Sequence, residues 1–176
     1  MEMKSTPEAI YARESTNRLS DIFEHLPALR AEAHGNVLEI GVRGGASTSA
    51  LILGVRERGG HVYSVDITAA CGTDVFLDDP QWTFLHGHSE YDAARILSKV
   101  PISLDVLFID ADHSYRAVQS DLAKYGPRVR KGGVILLHDT ELEGAGVRRA
   151  LVEYAEKLGS VPELRPGCYG LGVLRR

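Results

Sequence analysis

The chain has 176 residues, 44% of them hydrophobic, and a formal net charge of −4 from 20 basic and 24 acidic side chains. That length supports one α/β domain with a sizeable core, burying roughly 70% of the surface its unfolded form exposes, and argues against a second full domain. The charges are interspersed, so no basic stripe favours nucleic acid or an acidic membrane, and a small-molecule substrate is the expected partner.

Cys71 and Cys168 are the two thiols of the chain. No apolar run approaches the ~20 residues of a membrane span, and none after Met1-Glu2-Met3-Lys4 resembles a signal peptide. A reducing, cytoplasmic setting with unpaired cysteines is therefore predicted.

Thr6-Pro7-Glu8 opens a helix with a capping hydroxyl and a proline in the first turn. Leu19, Ile22, Phe23 and Leu26 continue it at helical spacing until Pro27 ends or kinks it, giving an N-terminal helical leader over residues 1–34. From there the chain alternates: strand 36–41, helix 47–57, strand 61–66, strand 82–86, helix 89–98, strand 104–110, helix 114–125, strand 133–138, helix 145–158. Such alternation predicts a mostly parallel sheet with helices on both faces. Tyr115, Val118, Leu122 and Tyr125, and then Val147, Leu151, Tyr154 and Leu158, mark the buried faces of two helices. The connection 67–81 is weakly patterned and reads as a short helix or a flexible loop. Val161–Leu164 and Tyr169–Leu174 flank a turn-rich Arg165-Pro166-Gly167-Cys168, too short for a helix, so the seven-stranded sheet ends in an antiparallel hairpin.

The first strand runs into Gly41-Val42-Arg43-Gly44-Gly45-Ala46-Ser47-Thr48. Glycines here allow backbone conformations and close approaches that a Cβ would forbid, and Ser47 or Thr48 can cap the following helix, whose free N–H groups face the same crevice. The spacing Glu39-x-Gly41-x-x-x-Gly45 departs from G-x-G-x-x-G, because Arg43 and Ala46 stand where that fingerprint needs glycines. The stretch resembles the first motif of class I S-adenosylmethionine-dependent methyltransferases. The resemblance covers residues 35–176 and implies a single Rossmann-like domain that binds S-adenosyl-L-methionine, with Glu39, Gly41, Arg43, Gly45 and Ser47 toward the amino-acid part of the cofactor.

Ligands of an open parallel sheet gather outside the carboxyl ends of its strands. Asp66 ends the second strand about 20 residues beyond the glycine loop, where a carboxylate can accept both ribose hydroxyls. His88 and Ser89 follow the third strand, in a turn that flanks the adenine in the family; Ser89 also reads as a plain helix cap. The next two strands deliver Asp110-Ala111-Asp112-His113 and His138-Asp139-Thr140 to one rim.

Together these segments resemble the small-molecule O-methyltransferases that use a divalent metal, the catechol, caffeoyl-coenzyme-A, macrolide-sugar and cephalosporin-tailoring types. By that resemblance Asp110 and Asp139 are metal ligands, His138 or Thr140 supplies the third, and the ion is magnesium or manganese. Asp110 belongs to the cofactor-binding and catalytic sets as well, and His113 stands where these enzymes keep a base. An imidazole ligand shifts preference from magnesium toward manganese, iron or zinc. A neutral imidazole base predicts activity that rises with pH. Competing readings are an NAD-dependent oxidoreductase, disfavoured by the loop spacing and the hairpin, and a non-catalytic cofactor-binding module. The short chain leaves little to cover an acceptor, which a homodimer would remedy.

Overall fold

The computed structural model describes residues 6–69, 76 and 78–176, so much of the 67–81 connection lies outside the described residues. Seven strands, β1 (Gly35–Ile40), β2 (Gly60–Asp66), β3 (Trp82–His86), β4 (Leu104–Ile109), β5 (Val129–His138), β6 (Glu163–Arg165) and β7 (Leu171–Arg175), form one sheet in the order β3-β2-β1-β4-β5-β7-β6. The pairings from β3 to β5 are parallel, while β7 runs antiparallel to β5 and to β6. Among the described residues six α-helices flank it: α1 (Pro7–Glu14), α2 (Leu26–Glu32), α3 (Ala46–Arg58), α4 (Ala93–Leu97), α5 (Tyr115–Tyr125) and α6 (Val147–Lys157).

Strand parity builds two cores. Val37, Val62, Val106, Phe108, Val134 and Leu136 project to the face covered by α1, α2 and α3, and Leu38, Ile40, Leu107, Ile109, Ile135 and Leu137 to the face covered by α4, α5 and α6. The continuous apolar runs of the sequence reflect this burial on both sides.

Three expectations are corrected. The leader is two helices, because Pro27 lies in the first turn of α2, where a missing N–H costs nothing, and so starts a helix. Ile10, Ile22, Leu26 and Leu29 join the core under α3. The helix expected over 89–98 shrinks to Ala93–Leu97, since the Asp92 carboxylate accepts the His88 N–H at 2.8 Å and holds the preceding residues in a turn. Finally, β5 begins at Val129 with a register shift against β4, eased by Gly132 at φ 80°.

β1 is followed by β2 on one side and adjoins β4 on the other. The connections therefore diverge between the carboxyl ends of β1 and β4, opening a crevice there.

Candidate active site

A cavity of about 730 Å³ occupies this crevice. Its wall comprises Gly41–Arg43 after β1, Asp66–Thr68 after β2, Gly87–Glu90 after β3, Asp110–His113 after β4 and Asp139 after β5, with Asp21, Ala117, Asp121, Leu142 and Tyr169 among the remaining contributors.

Gly41 adopts φ 94°, and a Cβ there would lie 2.0 Å from the Asp110 carbonyl oxygen, so only glycine lets these two strand ends meet. The turn is fixed by Asp66, whose Oδ2 accepts the Val42 and Arg43 N–H groups at 2.8 and 3.2 Å while its Oδ1 accepts from Thr68 N–H at 2.8 Å. Arg43 takes φ 48° and donates to Asp21 of the leader at 2.7 Å.

Three residues assigned to cofactor binding from the sequence lie behind the wall. Glu39 is fully buried and accepts hydroxyl hydrogen bonds from Ser47 (2.7 Å), Thr48 (2.8 Å) and Ser64 (2.5 Å). Burial pushes its carboxyl up to about 7 against the pull of those hydroxyls. Ser47 and Thr48 are thus inside α3 rather than capping it. The N-cap is Gly45, at φ 78°, where a Cβ would meet the Phe76 ring at 2.6 Å.

His88 and Ser89 stand on the wall at the β3 turn. The His88 Nδ1 accepts the Glu90 N–H at 3.1 Å, and the Tyr125 hydroxyl donates to the Ser89 carbonyl at 2.8 Å. Ser89 is four residues short of α4, which has Asp92 at its N-cap position. Beside it lies Asp121 of α5, which the sequence reasoning passed over. It is 2% exposed, and its signal was an acid set within the apolar stripe of Val118, Leu122 and Tyr125.

At the other end of the cavity Asp110, His113, His138 and Asp139 converge. The His113 Nε2 lies 2.9 Å from Asp139 Oδ2 and 3.8 Å from Asp110 Oδ1, and the His138 Nδ1 lies 3.1 and 3.4 Å from the same two oxygens. Asp139 is held at φ 63°, a left-handed conformation that aims its carboxylate between the imidazoles. Burial alone would raise both carboxyls, but hydrogen bonds from His113 and His138 hold Asp139 well below the usual carboxylate range and lower Asp110 too. Conversely, the two carboxylates raise His113 to about 10, and they outweigh burial to raise His138 to about 10.

The imidazoles differ in place. His113 has a 39% exposed side chain on the cavity wall, whereas that of His138 is 2% exposed and supports the carboxylates from behind, its Nε2 without a hydrogen-bond partner among the described residues. Thr140 is buried as well, its hydroxyl likewise unpartnered. One potential ligand atom each from Asp110, His113 and Asp139 lies within 4.8 Å of the others. This donor set fits a divalent cation, and its mixture of carboxylate oxygen and imidazole nitrogen suits manganese, iron or zinc better than magnesium. The sequence placed His138 in that set, while the geometry brings His113 to the cavity side of it.

The order of strands, the antiparallel tail and the crevice define a Rossmann-like methyltransferase fold. Residues 38–140 match the family described as a methyltransferase domain, and the chain belongs to that family. Solved structures of the same fold include MycE methyltransferase from the mycinamycin biosynthetic pathway, in complex with magnesium, S-adenosylhomocysteine and mycinamycin VI (19% identity, TM-score 0.67, 98% of this chain and 54% of that chain). Others are apo CalS11, a TDP-rhamnose 3'-O-methyltransferase of calicheamicin biosynthesis (16%, 0.69, 96% and 82%), and the Bacillus cereus O-methyltransferase in complex with S-adenosylhomocysteine (16%, 0.69, 100% and 93%). An uncharacterized protein of Acanthamoeba polyphaga mimivirus is 31% identical over 112 residues, 58% of this chain and 50% of that protein. The chain thus spans about half the length of both the viral relative and MycE. No helix among the described residues is long and apolar enough to cross a membrane.

Proposed function

We propose that this protein transfers the methyl group of S-adenosylmethionine to a hydroxyl of a small-molecule acceptor. The observation that carries the reading is one continuous cavity, walled by the glycine turn, Asp66 and the β3 turn, with the Asp110–His113–Asp139 cluster opening into it. The Gly41–Arg43 backbone receives the amino-acid part of the donor and Asp66 its ribose.

In the reaction the acceptor oxygen attacks the methyl carbon, the carbon–sulfur bond breaks, S-adenosylhomocysteine leaves and the hydroxyl proton is lost. Alignment of acceptor and sulfonium supplies up to roughly 7–11 kcal/mol of the barrier reduction. A divalent cation held by Asp110 and Asp139, with the His113 nitrogen left outside its coordination, would lower the pKa of the acceptor hydroxyl. His113 lies where it can take that proton, but a group raised to about 10 is already protonated at neutral pH. It serves as base only when the negative charge of Asp110 and Asp139 is otherwise balanced, and the rate then rises with pH as His113 deprotonates.

Isothermal titration with S-adenosylhomocysteine and with NAD tests the reading. Binding of the first and none of the second is expected; the reverse would overturn it in favour of an oxidoreductase.

A further inference from the structure

We propose that Tyr169 selects the methyl acceptor, taking a hydroxyl carried on a flat aromatic ring, and that His25 of the leader positions it. The proposal rests on the donor reading above, which puts the acceptor beside Asp110, His113 and Asp139. Tyr169 lines this end of the cavity with Leu142, and its backbone carbonyl accepts the Glu141 N–H at 2.6 Å, two residues beyond Asp139. It is 51% exposed, and its side chain has no hydrogen-bond or ring partner among the described residues. The polar side chains around it are engaged: Asp21 by Arg43, and Asp110 and Asp139 by the two imidazoles. A sugar brings several hydroxyls that each need a partner, whereas an aromatic acceptor brings a ring face for Tyr169 and a single hydroxyl for the carboxylate cluster.

The turn that carries Tyr169 is strained. Gly167, Cys168, Tyr169 and Gly170 take φ 88°, 41°, 61° and 84°, so two residues with side chains are held in the left-handed region within one continuous run. Such a conformation costs free energy and persists only where the surroundings impose it. Here the leader imposes it. His25 is 3% exposed and its Nε2–H donates to the Gly167 carbonyl at 2.7 Å, while the Cys168 thiol donates to the Ser20 carbonyl at 3.9 Å. The Gly170 N–H closes the turn on the same Gly167 oxygen at 2.6 Å. His25 does not line the cavity. It acts as a positioning residue, fixing the carbonyl on which the turn is built and, through the turn, the ring of Tyr169.

NMR titration of the metal-free protein, saturated with S-adenosylhomocysteine, with phenol and with cyclohexanol tests the assignment, because the two probes are alike in size and hydroxyl and differ in flatness. The wild type is expected to bind phenol about twofold to tenfold more tightly, as for an aromatic pair, and phenol should shift the Tyr169 ring resonances, assigned by their loss in Tyr169→Phe. Tyr169→Phe should keep the preference and Tyr169→Leu lose it. His25→Ala should lose it too, with affinity for S-adenosylhomocysteine unchanged, and His25→Gln, which can still donate to Gly167, should regain part of it. Equal binding of the probes by the wild type, or binding of neither, overturns the proposal without requiring any variant to fold, and so does a preference that survives in Tyr169→Leu. Loss of donor affinity in His25→Ala, or no recovery in His25→Gln, overturns the positioning role of His25. Wild-type protein that fails to bind S-adenosylhomocysteine overturns the donor reading instead, an outcome distinct from equal binding of the probes in its presence.

Discussion

Glu39 and Asp139 are both buried acids near the carboxyl ends of central strands, yet their surroundings drive them in opposite directions. Glu39 meets three hydroxyls and is pushed up to about 7, while Asp139 meets two imidazoles and is held far into its ionised form. Hydroxyls supply hydrogen bonds but no charge, so burial wins; imidazoles become cations and balance the carboxylate. The first site therefore braces β1, β2 and α3 behind the glycine turn, and the second keeps full charges at the cavity mouth.

The largest effect expected from breaking this contrast is at Asp139. Asp139→Asn removes one of the two carboxylates that raise His113 and should lower turnover by about 10³–10⁴-fold. The imidazole titration of His113, followed by NMR, should move down toward its ordinary 6.5; an unchanged titration would show that Asp110 alone sets it. His113→Ala should lower turnover by about 10²-fold with donor affinity little changed. Equal losses in rate and in S-adenosylhomocysteine binding would instead make it a binding group.

On the other side of the contrast, Glu39→Gln keeps the shape and removes the titration. The folded carboxyl lies at about 7 against an ordinary 4.5, so between those values the folded state binds more protons than the unfolded state. Wild-type stability should therefore fall as pH rises through that window, by about 3 kcal/mol in total, and stay lower above it. Urea unfolding across pH 4 to 8 should show this decline in the wild type relative to Glu39→Gln. Parallel curves would mean that Glu39 titrates normally in the folded protein.

The sheet and its terminal hairpin were legible because the apolar runs of β1, β4 and β5 are buried on both faces and the 165–168 turn is too short for a crossover. The site was legible as a set of strand-end polar residues, since sheet topology gathers such residues at one edge whatever their roles. Which residues reach the cavity depends on strand parity. Glu39 is two residues from Val37 and so turns with it toward α3, where Ser47 and Thr48 meet it. His138 pairs with Leu171 of β7 and is sealed beneath the tail, whereas His113, past the end of β4, is free to reach the surface. Pro27 was ambiguous because a proline both stops one helix and opens another. Asp121 hid within an apolar stripe, and only the tertiary position of the β3 turn reveals what it faces.

The smallest expected effect concerns the exposed counterpart of these buried clusters, the Arg43–Asp21 pair that ties the glycine turn to the leader at 2.7 Å. Its guanidinium is largely in water, so the attraction is screened and offset by the entropy of ordering a long side chain. Asp21→Asn should lower stability by less than about 1 kcal/mol, and the difference should shrink further in 1 M salt, where the screening length is about 3 Å. The leader is held mainly by Ile10, Ile22, Leu26 and Leu29, which this change leaves in the core. A salt-insensitive loss above about 2 kcal/mol in thermal or urea unfolding would show the opposite: that the ion pair, and not the apolar face, fixes the leader against the cavity mouth.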